Sequence, residues 1–264
     1  MGRVPATVTR SMCCSSRSRD AGGRVRVLSA SVRLLNGLAR NDPPRTSLCD
    51  MTAAPLVDGF GRTVRDLRIS VTDRCNFRCT YCMPAEGMTW LPREDLLTFE
   101  EIERLARVCV TRFGFEGIRL TGGEPTVRAH LPALVERLSS LGVDLAMTTN
   151  GSTMRLIAED LKAAGLHRLN ISCDSLDRDR FFQMTRRDDL LKVLDGIAAA
   201  KEAGFAPIKI NVVLMRGQND GEIVDFARFG REQGVGVRFI EFIDRKSTRL
   251  NSSHLRLSRM PSSA

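Results

Sequence analysis

Three thiols within eight residues are the part of this chain with the clearest potential for chemistry. The segment 73–83 reads DRCNFRCTYCM and holds Cys75, Cys79 and Cys82 in a C-x3-C-x2-C spacing. Thiolates bind soft metals and iron–sulfur clusters. Four thiolates close a structural zinc site or saturate a cubane cluster, whereas three leave one metal position open. The spacing favours a cluster with an open iron. A zinc site completed by a distant fourth ligand, or a chance grouping of thiols, remains as the alternative.

Polar segments follow the ends of three predicted strands elsewhere in the chain. TGGEP (121–125) follows the second strand, TTNG (148–151) ends the third, and NISCD (170–174) ends the fourth. In a parallel α/β barrel, active-site residues gather at the carboxyl ends of the strands. The paired glycines of TGGEP would allow the backbone to approach a ligand closely or to adopt a positive φ angle. We therefore expect these segments to meet the cysteine loop, although each alone could be an ordinary strand-end turn.

Six strand–helix steps must position these segments. Near-continuously apolar strands alternate with amphipathic helical stretches from residue 67 onward, which predicts an α/β fold with a parallel sheet covered by helices. The regular alternation favours a barrel or partial barrel over an open doubly wound sheet. The predicted strands span residues 67–71, 117–121, 144–149, 167–173, 208–214 and 237–242. The predicted helices span residues 99–113, 131–141, about 152–164, the stretch from the fourth strand to about 203, and 220–233.

The distribution of charge argues against a nucleic-acid partner. The 264 residues carry a formal net charge of +9. Residues 1–50 contribute nine Arg and three Asp, and residues 244–264 contribute five Lys or Arg and one Asp, so the residues between them sum to −1. A basic surface is the signature of nucleic-acid binding, and the middle of the chain lacks this excess.

The two ends differ in composition from the middle, which defines three segments. Residues 1–50 are rich in Arg, Ser and Ala without periodicity and predict a disordered or non-native extension, with a transit peptide as the alternative. Residues 51–243 form the predicted core domain. The Ser/Arg-rich residues 244–264 predict a disordered tail foreign to the protein, with a native disordered tail as the alternative. No apolar run is long enough to span a bilayer, and no secretion signal is evident. These features predict a cytoplasmic protein whose cysteines serve metal or redox chemistry.

Taken together, the motifs resemble those of the radical S-adenosylmethionine (SAM) superfamily, which combines a CxxxCxxC loop after the first strand with GGEP after the second. The longer strings LRISVTDRCNFRCTYCMP, IRLTGGEP, TTNG, NISCDSLD and VRFIEF are more specific. In this order they resemble the MoaA-type GTP 3′,8-cyclases of molybdenum cofactor biosynthesis, over about residues 60–242. The resemblance implies a radical SAM lyase with a partial (β/α)6 TIM-like barrel and disordered ends.

The resemblance also assigns a cofactor site. Cys75, Cys79 and Cys82 would hold a 4Fe–4S cluster whose fourth iron binds SAM, and reduction of the cluster would cleave SAM to a 5′-deoxyadenosyl radical. Tyr81 would contact SAM through its backbone. The other cofactor-binding positions would be Gly122, Gly123, Glu124 and Ser172. From its position alone, the last of these could equally be a routine strand-end hydroxyl.

Four further positions match residues that contact GTP in the family, and they are Arg68, Arg119, Thr148 and Lys209. Arg and Lys suit phosphate oxygens, the first bidentately and the second as a point charge. A bare charge inside an apolar strand is costly unless it is paired, so Arg68 and Arg119 favour a function. Lys209 could simply flank the fifth strand, and Thr148 could be a routine hydroxyl. In the family reaction, the radical would abstract a ribose hydrogen and the resulting carbon radical would attack C8 of guanine.

Partners and a second cluster are further implications of the resemblance. The partners would be an electron donor such as flavodoxin or ferredoxin and a downstream cyclic pyranopterin monophosphate synthase, and the chain could form a homodimer. The family binds a second cluster through three C-terminal cysteines, whereas this sequence has no cysteine after Cys173. It also carries Ile243 where the family has a SAM-contacting Met. We therefore expect one cluster, and SAM cleavage without GTP cyclisation, from the chain as written.

Two other functions compete with a GTP cyclase. A radical SAM enzyme of another subfamily could act on a peptide, although a peptide need not present phosphates to Arg68 and Arg119. A non-enzymatic protein could use the same three thiols for zinc, although GGEP and the strand-end residues would then be unexplained.

Overall fold

The computed structural model describes residues 54–84 and 88–242. The expectations for residues 1–50 and 244–264, and for Ile243, lie outside these described residues, and the division into three segments stays a prediction. Within the described part of the chain, no helix is both long enough and apolar enough to cross a membrane.

Six parallel strands form one sheet in the order in which they occur in the chain. Each strand pairs with the next, and β1 and β6 form the two edges. This sequential order confirms the predicted partial barrel, because the strand order of a doubly wound sheet reverses at a switch point. The strands are β1 (Asp66–Ser70), β2 (Gly117–Thr121), β3 (Asp144–Thr149), β4 (Arg168–Ser172), β5 (Ile208–Leu214) and β6 (Gly236–Glu241).

The helices of the described residues occupy the crossovers and pack their apolar faces against the sheet. The first helix shows why they begin and end where they do. Its cap residue Thr98 accepts a hydrogen bond from the N–H of Glu101 at 3.2 Å, and the N–H of Thr98 donates to the Glu101 carboxylate at 2.9 Å. Gly114 ends it in the left-handed conformation. The helices are α1 (Phe99–Phe113), α2 (Leu131–Ser139), α3 (Met154–Ala163), α4 (Arg178–Thr185), α5 (Leu190–Glu202) and α6 (Ile223–Gln233).

Alternation along the strands gives the sheet an apolar outer face and a polar inner face. Ile69 in β1 and Ile118 and Leu120 in β2 are at most 4% exposed and belong to the core beneath the helices. Their neighbours Arg68 and Arg119 point the other way, because successive side chains of a strand lie on opposite faces. The inner face can therefore carry charge without interrupting the core.

The helical stretch predicted from the fourth strand to about residue 203 consists of two helices in the structure, α4 and α5, separated by a four-residue break. Arg186 ends α4 in the left-handed conformation, with φ 55°. The carbonyls of Met184 and Thr185 accept hydrogen bonds from the N–H groups of Thr80 (2.9 Å) and Arg78 (3.0 Å) in the cysteine loop. The break therefore docks the end of α4 against that loop.

The left-handed Arg186 gives a stability prediction. A non-glycine residue costs about 1–2 kcal/mol in this conformation, and glycine loses part of that gain through its larger unfolded-state entropy. Arg186→Gly should therefore raise the free energy of unfolding by about 0.5–1 kcal/mol, measured by urea denaturation. The exposed Arg104, inside α1, provides the matched control. Arg104→Gly should lower the free energy of unfolding by about 1 kcal/mol, because glycine is unfavourable inside a helix. A decrease for both variants would contradict the expectation.

Candidate active site

The cysteine loop begins where β1 ends, at the carboxyl edge of the sheet. The N–H of Val71 still donates to the carbonyl of Thr121, at 2.8 Å, and the chain then leaves the sheet. Cys75 and Cys79 are half-buried, Cys82 is exposed, and the N–H of Cys82 donates to the carbonyl of Cys79 at 2.9 Å. The three predicted ligands thus lie on one loop at the end of the barrel where active sites form.

The donor chemistry of this loop suits a metal centre bound by thiolates. A structural zinc ion is bound by four ligands around one centre, whereas the thiolates of a cluster lie on separate irons, so three thiols leave one iron open. Burial raises the pKa of the Cys79 thiol to about 12, and Asp174 and Cys75 add to the rise. A bound iron would reverse this shift, because the ligand is the thiolate.

The GGEP segment is packed against the base of the cysteine loop. The N–H of Gly123 donates to the carbonyl of Thr72 at 2.7 Å, and the N–H of Glu124 donates to the carbonyl of Arg74 at 2.8 Å. A Cβ atom on Gly123 would lie 2.3 Å from the Arg74 carbonyl oxygen, and one on Gly122 would lie 2.5 Å from that of Thr72. Neither glycine is among those with a positive φ angle. The glycines are therefore needed for close approach to the loop backbone, and their contact with SAM stays a prediction.

Glu124 carries a buried carboxylate that is saturated with donors from the protein. It is 1% exposed and accepts from the Thr126 hydroxyl (2.7 Å), the Thr126 N–H (3.1 Å), the Thr149 hydroxyl (2.6 Å) and the Asn150 N–H (2.6 Å). Burial raises the pKa of this carboxyl, and these hydrogen bonds oppose the rise. The side chain of Glu124 therefore fastens the loop after β2 to the end of β3, which was not predicted. Its proposed contact with SAM is not tested by this geometry.

A chain of side-chain amides extends this network to the cysteine loop. The side-chain amide of Asn150 donates to the side-chain oxygen of Asn76 at 2.7 Å, and that of Asn76 donates to the Ser152 hydroxyl at 2.8 Å. The Ser152 hydroxyl in turn donates to the side-chain oxygen of Asn150 at 2.8 Å, so the three side chains form a cyclic hydrogen-bond network. The residue next to Cys75 is thereby fixed to the end of β3.

A hydrogen bond between Tyr81 and Asp174 is a second contact that holds the cysteine loop in place. The Tyr81 hydroxyl donates to the Asp174 carboxylate at 2.6 Å, and the N–H of Val213 donates to its other oxygen at 2.8 Å. Burial raises the pKa of Asp174 to about 6, and both hydrogen bonds limit the rise. This contact joins the cysteine loop to the end of β4 and to β5. The expected contact of the Tyr81 backbone with SAM stays a prediction.

The raised pKa of Asp174 predicts a pH-dependent stability of the cluster-free chain. The folded pKa of about 6 lies above the ordinary value of 3.8, so the stabilising contribution of the neutral carboxyl is complete below pH 3.8. It is lost as pH rises through 6, by up to about 3 kcal/mol. In Asp174→Asn, the free energy of unfolding should no longer fall by this amount as pH rises from 4 to 7. This holds even if the substitution changes the stability at every pH. Urea denaturation of both proteins between pH 4 and 7 tests this, and parallel curves would contradict it.

Five cationic side chains gather on the inner face of the sheet, and we call them the cation face: Arg68, Arg119, Arg168, Lys209 and Arg238. In the register of the sheet, Arg68 lies beside Arg119. The other four line one cleft, together with Ala146, Asn170 and Pro207. The structure thus brings Arg68, Arg119 and Lys209 together, as predicted for a common site. Thr148 is not part of the cleft lining, but it pairs with Asn170, which is.

The cation face carries more positive charge than its ion pairs within residues 54–84 and 88–242 neutralise. Burial lowers the pKa of Arg119, and Arg68 and Arg168 lower it further. Burial likewise lowers the pKa of Lys209, and three neighbouring arginines add to the effect. Arg168 donates to Asp144 at 2.9 Å, whereas the other four cations have no ion pair within the described residues. Like charges held together in a partly buried cleft favour a ligand with several negative charges.

Three inner-face residues were missed by the sequence analysis. Arg168 and Arg238 belong to the cation face, and Asn211 lies beside Ser172 in the register of β4 and β5. The side-chain oxygen of Asn211 is buried without a hydrogen-bond partner in the structure, so a donor from a ligand would satisfy it. The signal was available, because these residues continue the alternation of polar side chains along their strands.

A family model identifies the class of this barrel. The model of the Radical SAM superfamily matches residues 69–230, from β1 to the last turns of α6. This chain belongs to the radical SAM superfamily. Membership implies a 4Fe–4S cluster and SAM as cofactors, in agreement with the three-thiol loop at the carboxyl edge of the sheet.

Curated relatives within this superfamily carry the name GTP 3′,8-cyclase. The GTP 3′,8-cyclase of Marinobacter nauticus is 56% identical over 192 residues, which are 72% of this chain and 58% of the relative. The GTP 3′,8-cyclase of Geobacter sulfurreducens is 52% identical over 190 residues, which are 71% of this chain and 58% of the relative. The chain therefore spans less than two thirds of the length of these relatives.

Solved structures support the fold. Streptococcus suis SuiB bound to S-adenosylmethionine superposes with a TM-score of 0.57 at 19% identity, covering 74% of this chain and 43% of SuiB. Methylornithine synthase (PylB) superposes with a TM-score of 0.52 at 17% identity, covering 67% of this chain and 53% of that protein. At these identities the likeness concerns the barrel alone.

Proposed function

We propose that this chain is the SAM-cleaving barrel of a GTP 3′,8-cyclase. The whole protein would convert GTP to (8S)-3′,8-cyclo-7,8-dihydroguanosine 5′-triphosphate in molybdenum cofactor biosynthesis. The cation face is the observation that carries the proposal, because a triphosphate would supply the negative charge that its cations lack within the described residues. The 56% identity to the M. nauticus cyclase supports the same substrate.

In this proposal the cysteine loop holds one cluster through Cys75, Cys79 and Cys82. When bound, the cluster and SAM supply a 5′-deoxyadenosyl radical. The chain contributes a rigid setting, since the loop is fastened to β2, β3, β4 and the end of α4 by the contacts described above. The residues proposed to bind SAM are Tyr81, Gly122, Gly123, Glu124 and Ser172.

The inner face would orient GTP along the barrel. Arg68, Arg119, Lys209 and Arg238 would bind the phosphates. Thr148 lies one residue from the carboxyl end of β3, the edge that carries the cysteine loop, and would contact the ribose. Hydrogen abstraction requires the ribose to lie close to the radical that the loop would supply.

The reaction also requires partners. An electron donor such as flavodoxin or ferredoxin would reduce the cluster, and a cyclic pyranopterin monophosphate synthase would take up the cyclised product. A homodimer and a cytoplasmic location are part of the same proposal.

Anaerobic reconstitution of the chain with iron and sulfide tests the proposal. We expect about four irons per chain and release of 5′-deoxyadenosine from SAM on reduction with dithionite. We also expect binding of GTP in preference to guanosine. Cys79→Ala should abolish the cluster and SAM cleavage. A colourless chain that folds only with zinc would overturn the proposal in favour of a zinc protein, and a cluster without any preference for the triphosphate would point to another radical SAM subfamily.

A further inference from the structure

One peptide group of the cysteine loop is held at both of its ends. Its N–H belongs to Phe77 and donates to the sulfur of Cys75 at 3.4 Å. Its carbonyl belongs to Asn76 and accepts a hydrogen bond from the Nε of Arg187 at 2.8 Å. The guanidinium group thus lies at the negative end of the peptide dipole, and the sulfur lies at the positive end.

Independent contacts fix the orientation of this peptide. The side chain of Asn76 is bound by Asn150 at 2.7 Å and by Ser152 at 2.8 Å. Arg187 is brought to the loop by the break after α4, where the N–H of Arg78 donates to the carbonyl of Thr185 at 3.0 Å. Asn76 and Arg187 thus hold the same peptide whose N–H donates to the Cys75 sulfur.

The electrostatic consequence concerns the redox state of a cluster bound at Cys75. One-electron reduction makes a cluster and its thiolates one unit more negative, so an N–H donor to a ligand sulfur favours the reduced form. A cation on the carbonyl of the same peptide polarises it and strengthens that donor, because hydrogen bonds in a chain polarise one another. Removal of the cation should therefore weaken the donor at the sulfur.

We propose that Arg187 is a positioning residue that raises the reduction potential of the cluster by orienting and polarising the Asn76–Phe77 peptide toward the Cys75 sulfur. This inference rests on the proposed role of Cys75 as a cluster ligand. It assigns Arg187 no contact with SAM or GTP.

The test compares Arg187→Gln with Arg186→Gln in the reconstituted chain. Both arginines are exposed and adjacent, so each variant removes one positive charge at almost the same place, but only Arg187 donates to the Asn76 carbonyl. The midpoint potential is measured by titration with dithionite, which supplies the electron, and the reduced cluster is followed by its paramagnetic resonance signal. We expect the reduced-to-oxidised ratio at a fixed potential to fall about tenfold in Arg187→Gln, which is 59 mV for one electron. Arg187→Lys should recover most of the loss, and Arg186→Gln should change the ratio much less.

The possible results distinguish a failure of this inference from a failure of the proposed function. Equal shifts in the two glutamine variants would mean that charge alone matters, and would overturn the inference. An unchanged potential in Arg187→Gln would overturn it as well, while leaving the proposed function intact. Failure of the unsubstituted chain to assemble any cluster would instead overturn the proposed function, and the inference with it. Thermal unfolding of each variant shows whether a change in potential follows from lost structure.

Discussion

Replacing Gly123 with alanine should prevent assembly of the cluster. The added Cβ atom would lie 2.3 Å from the carbonyl oxygen of Arg74 and 2.5 Å from that of Asp73. Both obstacles are backbone atoms, so relief requires the cysteine loop to move away from GGEP. The same movement would break the hydrogen bond from the Glu124 N–H to the Arg74 carbonyl, which is 2.8 Å long. Overpacking of this kind costs about 1–3 kcal/mol, and it falls on the loop that presents the thiols.

Iron content and visible absorption after anaerobic reconstitution measure this effect, and we expect iron to fall to the level of Cys79→Ala. Gly221 offers the matched control, because a Cβ atom there would meet nothing within 4 Å and its φ angle is not positive. Gly221→Ala should bind iron normally. If Gly123→Ala also assembled a full cluster, the close packing of GGEP against the loop would have no part in positioning the thiols.

The barrel and much of the inner face could be predicted because both depend on short-range patterns. Arg68 and Arg119 stand out because a bare charge inside an apolar strand is costly unless it is paired, and the carboxyl ends of parallel strands meet at one edge. From this alone the cysteine loop, GGEP and the ends of β3 and β4 were expected together. In the register of the sheet, all four residues predicted to contact GTP lie on the inner face, and their contact with GTP stays a prediction.

The break between α4 and α5 could not be predicted from local sequence. The residues at the break, TRRDD, contain neither glycine nor proline, the strongest signals for the end of a helix. The helix ends because Met184 and Thr185 offer their carbonyls to the cysteine loop, about a hundred residues earlier in the chain. A tertiary contact of this kind outweighs local propensity.

The contact by which Glu124 joins the loop after β2 to the end of β3 also depends on residues distant in the sequence. A motif shows which residue types stand together but not which way a side chain turns, and its partners Thr149 and Asn150 lie about 25 residues away. Arg168 and Arg238 were missed because charge at the start of a strand, or in an edge strand, is usually solvated. The structure shows that they face the same cleft as Arg119 and Lys209, although the alternation of polar side chains along their strands already pointed to the inner face.

Arg119→Ala should weaken binding of GTP by about 10- to 100-fold while leaving binding of guanosine nearly unchanged. A charge-assisted hydrogen bond contributes about 1.5–3 kcal/mol, and each 1.4 kcal/mol is tenfold in affinity. The same substitution should not destabilise the fold. Burial and the neighbouring Arg68 and Arg168 already lower the pKa of Arg119, so its removal relieves desolvation and repulsion between like charges.

A loss of affinity for GTP without a loss of folding stability would show that Arg119 binds the ligand and does not support the fold. Calorimetric titration with GTP and guanosine gives the affinities, and urea denaturation gives the free energy of unfolding of the same samples. The exposed Arg104 on α1 is the matched control, and Arg104→Ala should leave the affinity for both ligands unchanged. Equal losses for GTP and guanosine would show that Arg119 does not bind phosphate. The cation face would then lack a reason for the cations that have no ion pair in the described part of the chain, and that result would count against the GTP site as a whole.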